Sequence, residues 1–197
     1  GTSALYGDGV SSTILINDAD VIDNTFEAGF GSNLLSVDGF AKIPFSKKTG
    51  LQLAVRRSFT DIVASTTYDA YFDRIFRDSE LNASNDINTV LALDERFLFY
   101  DINAKFLYNI DKTSKLRIKL LNIYNNLDYN QIFTNSNNNF QENRSALNQF
   151  SYGASATYSK VFDNELFVSA QLYYSNYDLD AQNNDITNNQ RLTQEKK

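Results

Sequence analysis

The chain has 197 residues, 42% hydrophobic and 14% aromatic, too apolar for a disordered polypeptide and consistent with one domain or two small ones. It contains no Cys and no His, which removes disulfides, thiolate nucleophiles, the Ser-His triad, and His-ligated zinc or haem. Against 24 Asp and Glu stand 18 Lys and Arg, a net charge of −6 that disfavours nucleic acid as a partner, while 12 Tyr, 15 Phe and 24 Asn predict strands joined by polar loops.

In chain order, a stretch of small residues precedes the apolar run Ile14, Leu15, Ile16. Asp18, Asp20 and Asp23 follow. Oxygen-rich spacing of that kind can bind calcium, but no Gly stands at a sharp turn and no terminal Glu completes an EF-hand, so a solvated linker is expected. Residues 26–45 begin and end with period-2 alternation (Phe26, Ala28, Phe30, then Phe40 onward), with a bulge or bend expected near 32–36. Leu51, Leu53 and Val55 alternate with Gln52, Ala54 and Arg56. The clearest run is Tyr100, Ile102, Ala104, Phe106 and Tyr108, with Asp101, Asn103 and Lys105 between them. Leu116, Ile118 and Leu120 alternate with Arg117 and Lys119; 150–159 and 166–175 repeat the pattern. A period of 2 gives each strand one greasy and one polar face.

Short turns (46–50, 111–114, 161–165) alternate with long connections expected over 62–98, 126–146 and from 180 onward. Tyrosines stand at the ends of the greasy faces. Together these features predict an all-β fold: an antiparallel, up-and-down transmembrane β-barrel segment of about six strands, open as a fragment. Its short turns would be periplasmic and its long loops extracellular. No stretch of 18 apolar residues is present, so no transmembrane helix is expected. The rival is a soluble β-sandwich with Tyr in its core. Arg57 is a difficulty, because alternation from Val55 aims it at lipid; either it lies near an interface or a bulge turns it inward, and the bulge is the favoured solution. Tyr68, Tyr71, Phe72, Ile75 and Phe76 have helical spacing, so a short loop helix is expected over 67–78, packed on the barrel rim or acting as a lid.

Candidate chemistry is sparse. Asp94-Glu95 and Asp78 with Glu80 could be glycosidase-like acid pairs, but acidic loops are common, and no catalytic role is expected. No metal site and no cofactor are expected. The Asn-rich 135–139 segment reads as a polar loop tip, and Asn82 and Asn143 begin glycosylation sequons that are expected to be accidental. Arg56, Asp101, Asn103, Lys105, Arg117 and Lys119 lie on polar strand faces and would point into a barrel lumen, the charged ones pairing with one another or with a plug.

The residues Ser3-Ala4-Leu5-Tyr6-Gly7, then Ser11-Ser12 and the apolar Thr13 to Ile16, resemble the end of the plug domain in TonB-dependent outer-membrane transporters. Ser11-Ser12 stands where Gly-Gly or Gly-Val is more usual. The 29–44 stretch, the Lys47-Lys48 turn and Ala54-Val55-Arg56-Arg57-Ser58-Phe59 are similar to the opening hairpin of one branch of that family, and 100–105 to its third strand. The resemblance implies a fragment in which 1–22 is the end of the plug and its linker and 23–197 the first part of the barrel. It implies active uptake of a scarce small ligand, often a siderophore or other metal chelate. Its setting would be the outer membrane of a Gram-negative cell, with outer-membrane lipid and a TonB-type energy-coupling complex as partners. Tyr68, Tyr71, Arg74 and Arg77 would be loop contacts to ligand, since Tyr and Arg supply area and anion recognition. The alternatives are a passive porin-like barrel and the soluble sandwich.

Overall fold

Eight antiparallel strands follow one another in a single sheet whose spatial order is the chain order. They are β1 (Glu27–Ser32), β2 (Ser36–Pro44), β3 (Thr49–Ser58), β4 (Ile87–Asn109), β5 (Ser114–Asn135), β6 (Phe140–Val161), β7 (Phe167–Thr187) and β8 (Gln190–Lys196). This computed structural model describes residues 19–60, 62, 66, 68, 70, 87–135, 140–187 and 190–196, with backbone alone for 87–93, 133, 135, 185, 187 and 190–196. Ser3, Tyr6, Gly7, Ser11 and Ser12, and all but isolated positions of the 67–78 helix, lie outside the described residues. Among those described there is no continuous helix, none is long and apolar enough to cross a membrane, and no pairing joins β8 to β1, so the sheet is open.

Eight strands stand where about six were expected, and two departures from the sequence reading account for the difference. The 26–45 stretch is a hairpin, not one bent strand. Asn33 makes its turn: the side-chain Oδ1 accepts from the backbone N–H of Leu35 and of Ser36, each at 2.8 Å. Second, two of the connections taken as long loops are mostly strand. β4 to β7 have 21 to 23 residues each, and pairing runs without a break from Ser114↔Lys160 to Thr134↔Phe140. The 126–146 connection is thus the outer half of a long hairpin. Period-2 greasiness is lost there because amides and carboxylates enter both faces beside a few apolar side chains such as Leu127 and Leu147. Asn126 donates to Asn148 at 2.7 Å on one face, and Asn125 to Gln149 at 3.1 Å and Ser145 to Asn183 at 2.9 Å on the other. These cross-strand amide and hydroxyl bonds add to apolar packing as the lateral glue.

At the opposite end the turns are short, and Asp111 organises the one between β4 and β5. Its Oδ1 accepts from the N–H of Thr113 and of Ser114, both at 2.7 Å, and from the Thr113 hydroxyl at 2.8 Å. Those bonds, the Thr113 N–H foremost, hold its carboxyl down to about 2. A depressed carboxylate contributes stability above its unfolded pKa and loses it as pH falls through the folded value. The Asp111 contribution should therefore be complete above about pH 4 and vanish near pH 2. Urea midpoints measured from pH 5 to pH 2 should fall more for the wild type than for Asp111→Ala, which lacks the carboxylate throughout; parallel curves would discount the turn.

Candidate functional site

Side chains alternate along each strand, so register decides which residues share a face. Arg56 pairs with Asp101, Gln52 with Lys105 and Gly50 with Leu107. Asn103 pairs with Leu121, Lys105 with Lys119 and Leu107 with Arg117. Arg56, Asp101, Asn103, Lys105, Arg117 and Lys119 therefore all share one face, hereafter the polar face. Arg56 and Asp101 form an ion pair at 2.6 Å there, and the Arg56 guanidinium lies 5.2 Å from the Phe99 ring centroid.

The other face is apolar over a limited height. One row across five strands reads Leu53, Ala104, Leu120, Ala154, Tyr174; the row below reads Leu51, Phe106, Ile118, Ala156, Leu172. Tyr108 and Tyr158 close the band at the short-turn end. Tyr100, stacked on Tyr124 with centroids 5.0 Å apart, and Tyr152, tilted against Tyr174 at 6.2 Å, close it at the other. Beyond them the same face carries Asn126, Asp128, Asn148 and Asp178. Through Ile102, Ile118, Leu120 and Leu172 the band is exposed, and no second layer packs on it among the described residues.

The upper tyrosines are staggered. Tyr100 is level with Tyr124, Tyr152 lies two residues below the partner of Tyr124, and Tyr174 two residues below the partner of Tyr152. That is a drop of four residues over three interstrand steps. At about 3.3 Å per residue and 4.8 Å per step, a level belt would need strands inclined by roughly 43°. Closed barrels require about 35–45°. The eight-residue interval from Tyr100 to Tyr108 is about 27 Å along the strand, or about 20 Å of height at that inclination.

Arg57 sits at this boundary. The β2–β3 and β3–β4 registers run through it unbroken, Val37↔Arg57 and Arg57↔Tyr100. The bulge expected from the sequence is absent. Arg57 is on the apolar face, level with the Tyr100–Tyr124 pair, where its guanidinium reaches the belt's edge instead of the middle of the band.

On the polar face the chain is tied down by its own segment 19–23. The carboxylate of Asp20 bridges two cations: Arg117 Nε donates to its Oδ1 at 2.7 Å, and Lys105 Nζ lies 3.3 Å from the same atom. Lys105 also donates to the Ala19 carbonyl at 2.8 Å, Gln52 donates to the Val21 carbonyl at 3.3 Å, and Lys42 Nζ is 3.6 Å from Asp23. Ile22 rests on Gly50, where an added Cβ would stand 3.4 Å from its Cγ2. Lys105 is only 3% exposed and Leu107 only 1%. Burial works to raise the Asp20 pKa, but the bonds and charges of Arg117 and Lys105 outweigh it and hold the carboxyl below the ordinary range. The acidic cluster read as a solvated linker is thus a docked segment whose described carboxylates, Asp20 and Asp23, pair with sheet cations. Sequence reasoning had the cations and the carboxylates but no signal joining positions 97 apart.

Of the four expected ligand contacts, Tyr71, Arg74 and Arg77 lie outside the described residues. Tyr68 has a packing position: 6% exposed, it forms a cluster with Leu127 and Tyr129, against Leu35, Phe97 and Leu147, on the polar face beyond the band. Asp94 and Glu95 are consecutive in β4 and so point to opposite faces, which prevents them converging as an acid pair. No cluster of three metal-capable side chains occurs among the described residues. No family model, no curated protein and no solved structure matches the chain.

Proposed function

We propose that this chain forms part of the wall of an outer-membrane transporter of the TonB-dependent kind, with segment 19–23 leading from a plug into the barrel. Its role is active uptake of a scarce small ligand such as a siderophore or other metal chelate, driven by an energy-coupling complex acting on that plug. The observation that carries the reading is the division of the sheet. One face is an exposed apolar band about 20 Å tall framed by tyrosines, near the ~25 Å of a membrane barrel; the other is polar and holds the chain's own preceding segment through Asp20. A soluble module has no use for the first. A passive pore has no use for the second, and this favours the plugged transporter over a porin-like barrel. Strands about twice as long as the 9–11 residues that a bilayer requires would carry the sheet well outside the membrane, as a vestibule for ligand.

The chain has no Cys, so single cysteines report cleanly. Labels at Ile102, Phe106 and Ala154 in membranes should be quenched by lipid-borne quenchers, and labels at Asn103 and Ser155 by water-borne ones. Shielding of the first set from both would mean a protein core and would replace transport with a soluble binding module.

A further inference from the structure

We propose that the polar face holds a seat for the chain's own apolar run Ile14-Leu15-Ile16, in a groove over Ala54 beside the docked segment 19–23. The proposal requires that segment, but neither the bilayer nor a transported ligand. One row of the polar face carries no charge: Phe40, Ala54, Asn103, Leu121. The row on its short-turn side is Lys42, Gln52, Lys105, Lys119, and the row on its other side begins Asp38, Arg56, Asp101. Phe40 leans over Gly29, where its ring leaves no room for a Cβ, and Ala54 is too small to fill the space beside it. A groove of about 210 Å³ opens there, between Phe40 and Asn103. Phe40 and Leu121 stay exposed, so the row is uncovered among the described residues.

Three observations name the occupant. The first is where the chain arrives. Lys42, Gln52 and Lys105 line the groove, and the same three side chains hold the segment 19–23: Lys42 at Asp23, Gln52 at the Val21 carbonyl, Lys105 at Asp20 and the Ala19 carbonyl. The second is reach. Ile16 stands three residues before Ala19, about 10 Å of extended chain, and the Asn103 row is about 7 Å from the Lys105 row. A tether that short presents the run at an effective concentration on the order of millimolar, which a free partner would have to match. The third is size. The groove is smaller than the about 300–1,000 Å³ of small-ligand sites, and it suits one or two aliphatic side chains. In an extended segment Ile14 and Ile16 share one side, so both can face the row while Leu15 faces away.

Cysteine pairs in the full chain test the seat, since a disulfide needs Cα atoms within about 7 Å. The positive control is Ile22→Cys with Gly50→Cys, because Ile22 Cγ2 lies 3.4 Å from where a Gly50 Cβ would stand. Under mild oxidation in phosphatidylcholine vesicles, Ile16→Cys should bridge to Asn103→Cys about tenfold faster than to Ser175→Cys. Ser175 is in the same row and on the same face, three strands or about 14 Å away. Leu15→Cys should bridge to Asn103→Cys more slowly than Ile16→Cys does. Filling the groove with Ala54→Phe should bring the Ile16→Cys bridge down to the Ser175 rate and leave the control bridge untouched. Equal rates to Asn103→Cys and Ser175→Cys, with the control bridge formed, would overturn the seat and leave the groove to a partner from outside the chain. Failure of the control bridge as well would overturn the docked segment and the seat together.

Discussion

An arginine in place of Leu120 should cost about 2–4 kcal/mol of folding into a bilayer, while one in place of Asn103 should cost about 0.5 kcal/mol or less. The two positions are close in space: Leu120 pairs with Ala104, the chain neighbour of Asn103. They differ in face. Leu120 lies midway between the Tyr124 level and the lower end of the band at Leu116, with its side chain outward and 43% exposed. A guanidinium there has no neighbour to pair with and must drag water into hydrocarbon or distort the bilayer. Asn103 is on the polar face, where Arg56 and Lys105 already sit. Depth provides the second comparison. Asn122 is on the apolar face but level with Tyr152, its cross-strand partner, so Asn122→Arg should cost only about 0–1 kcal/mol. A protein layer covering the band would give no such gradient with height. Urea titrations of folding into phosphatidylcholine vesicles read all three. Equal midpoints for Leu120→Arg and Asn103→Arg would remove the lipid assignment of the apolar face.

The same contrast explains what was legible in the sequence. Strand β4 could be read from Tyr100 to Tyr108 because one face of the sheet is apolar there and the other polar, which writes a period of 2 into the residues. Where both faces become polar, as at Asn125, Asn126, Asn148 and Gln149, strand and loop have the same composition, and the outer halves of β5 and β6 read as loop. Their cohesion comes from cross-strand pairs, which depend on register and not on local pattern. The 26–45 hairpin was obscured for a related reason: its turn rests on the single side chain of Asn33, without Gly or Pro to mark it. Arg57 was misjudged because alternation gives direction but not height. Alternation left an interface position and a bulge as alternatives, and the bulge was preferred; with Arg57 paired to Tyr100 the interface position stands and no bulge is needed. The docking was legible only in kind, as charged residues of the polar face pairing with a plug; nothing local singles out Asp20 as the partner of Lys105 and Arg117.

That docking is the other place where one substitution should have a large effect. Arg117 is a hub. Besides its bond to Asp20, it donates to the Tyr108 carbonyl at 3.0 Å, to the Leu116 carbonyl at 2.9 Å and to Asn109 Oδ1 at 2.8 Å. Removing one member of a buried pair costs about 3–5 kcal/mol, because the other is left desolvated. Asp20 keeps 48% of its side chain exposed, so water recovers part of that loss. Arg117→Met should therefore cost about 2–3 kcal/mol. Arg117→Lys should recover only part of this, since a point charge cannot reach the carboxylate, both carbonyls and Asn109 together. The loss should be local to the strap. A spin label at Val21→Cys should become mobile in Arg117→Met while labels on β5 stay immobile. Asp20→Asn should release the same label, and adding Arg117→Met to it should bring much less than the sum, since both act on one contact. The pH dependence has a fixed sign. The Asp20 carboxyl is held below its ordinary value, so the docked state is fully favoured above about pH 4 and weakens only as pH falls through the lowered pKa. A strap that loosened on raising the pH from 5 to 8 would contradict the Asp20 pairing, and an Arg117→Met chain whose label stayed fixed would mean that Ile22 over Gly50 holds the segment without the ion pairs.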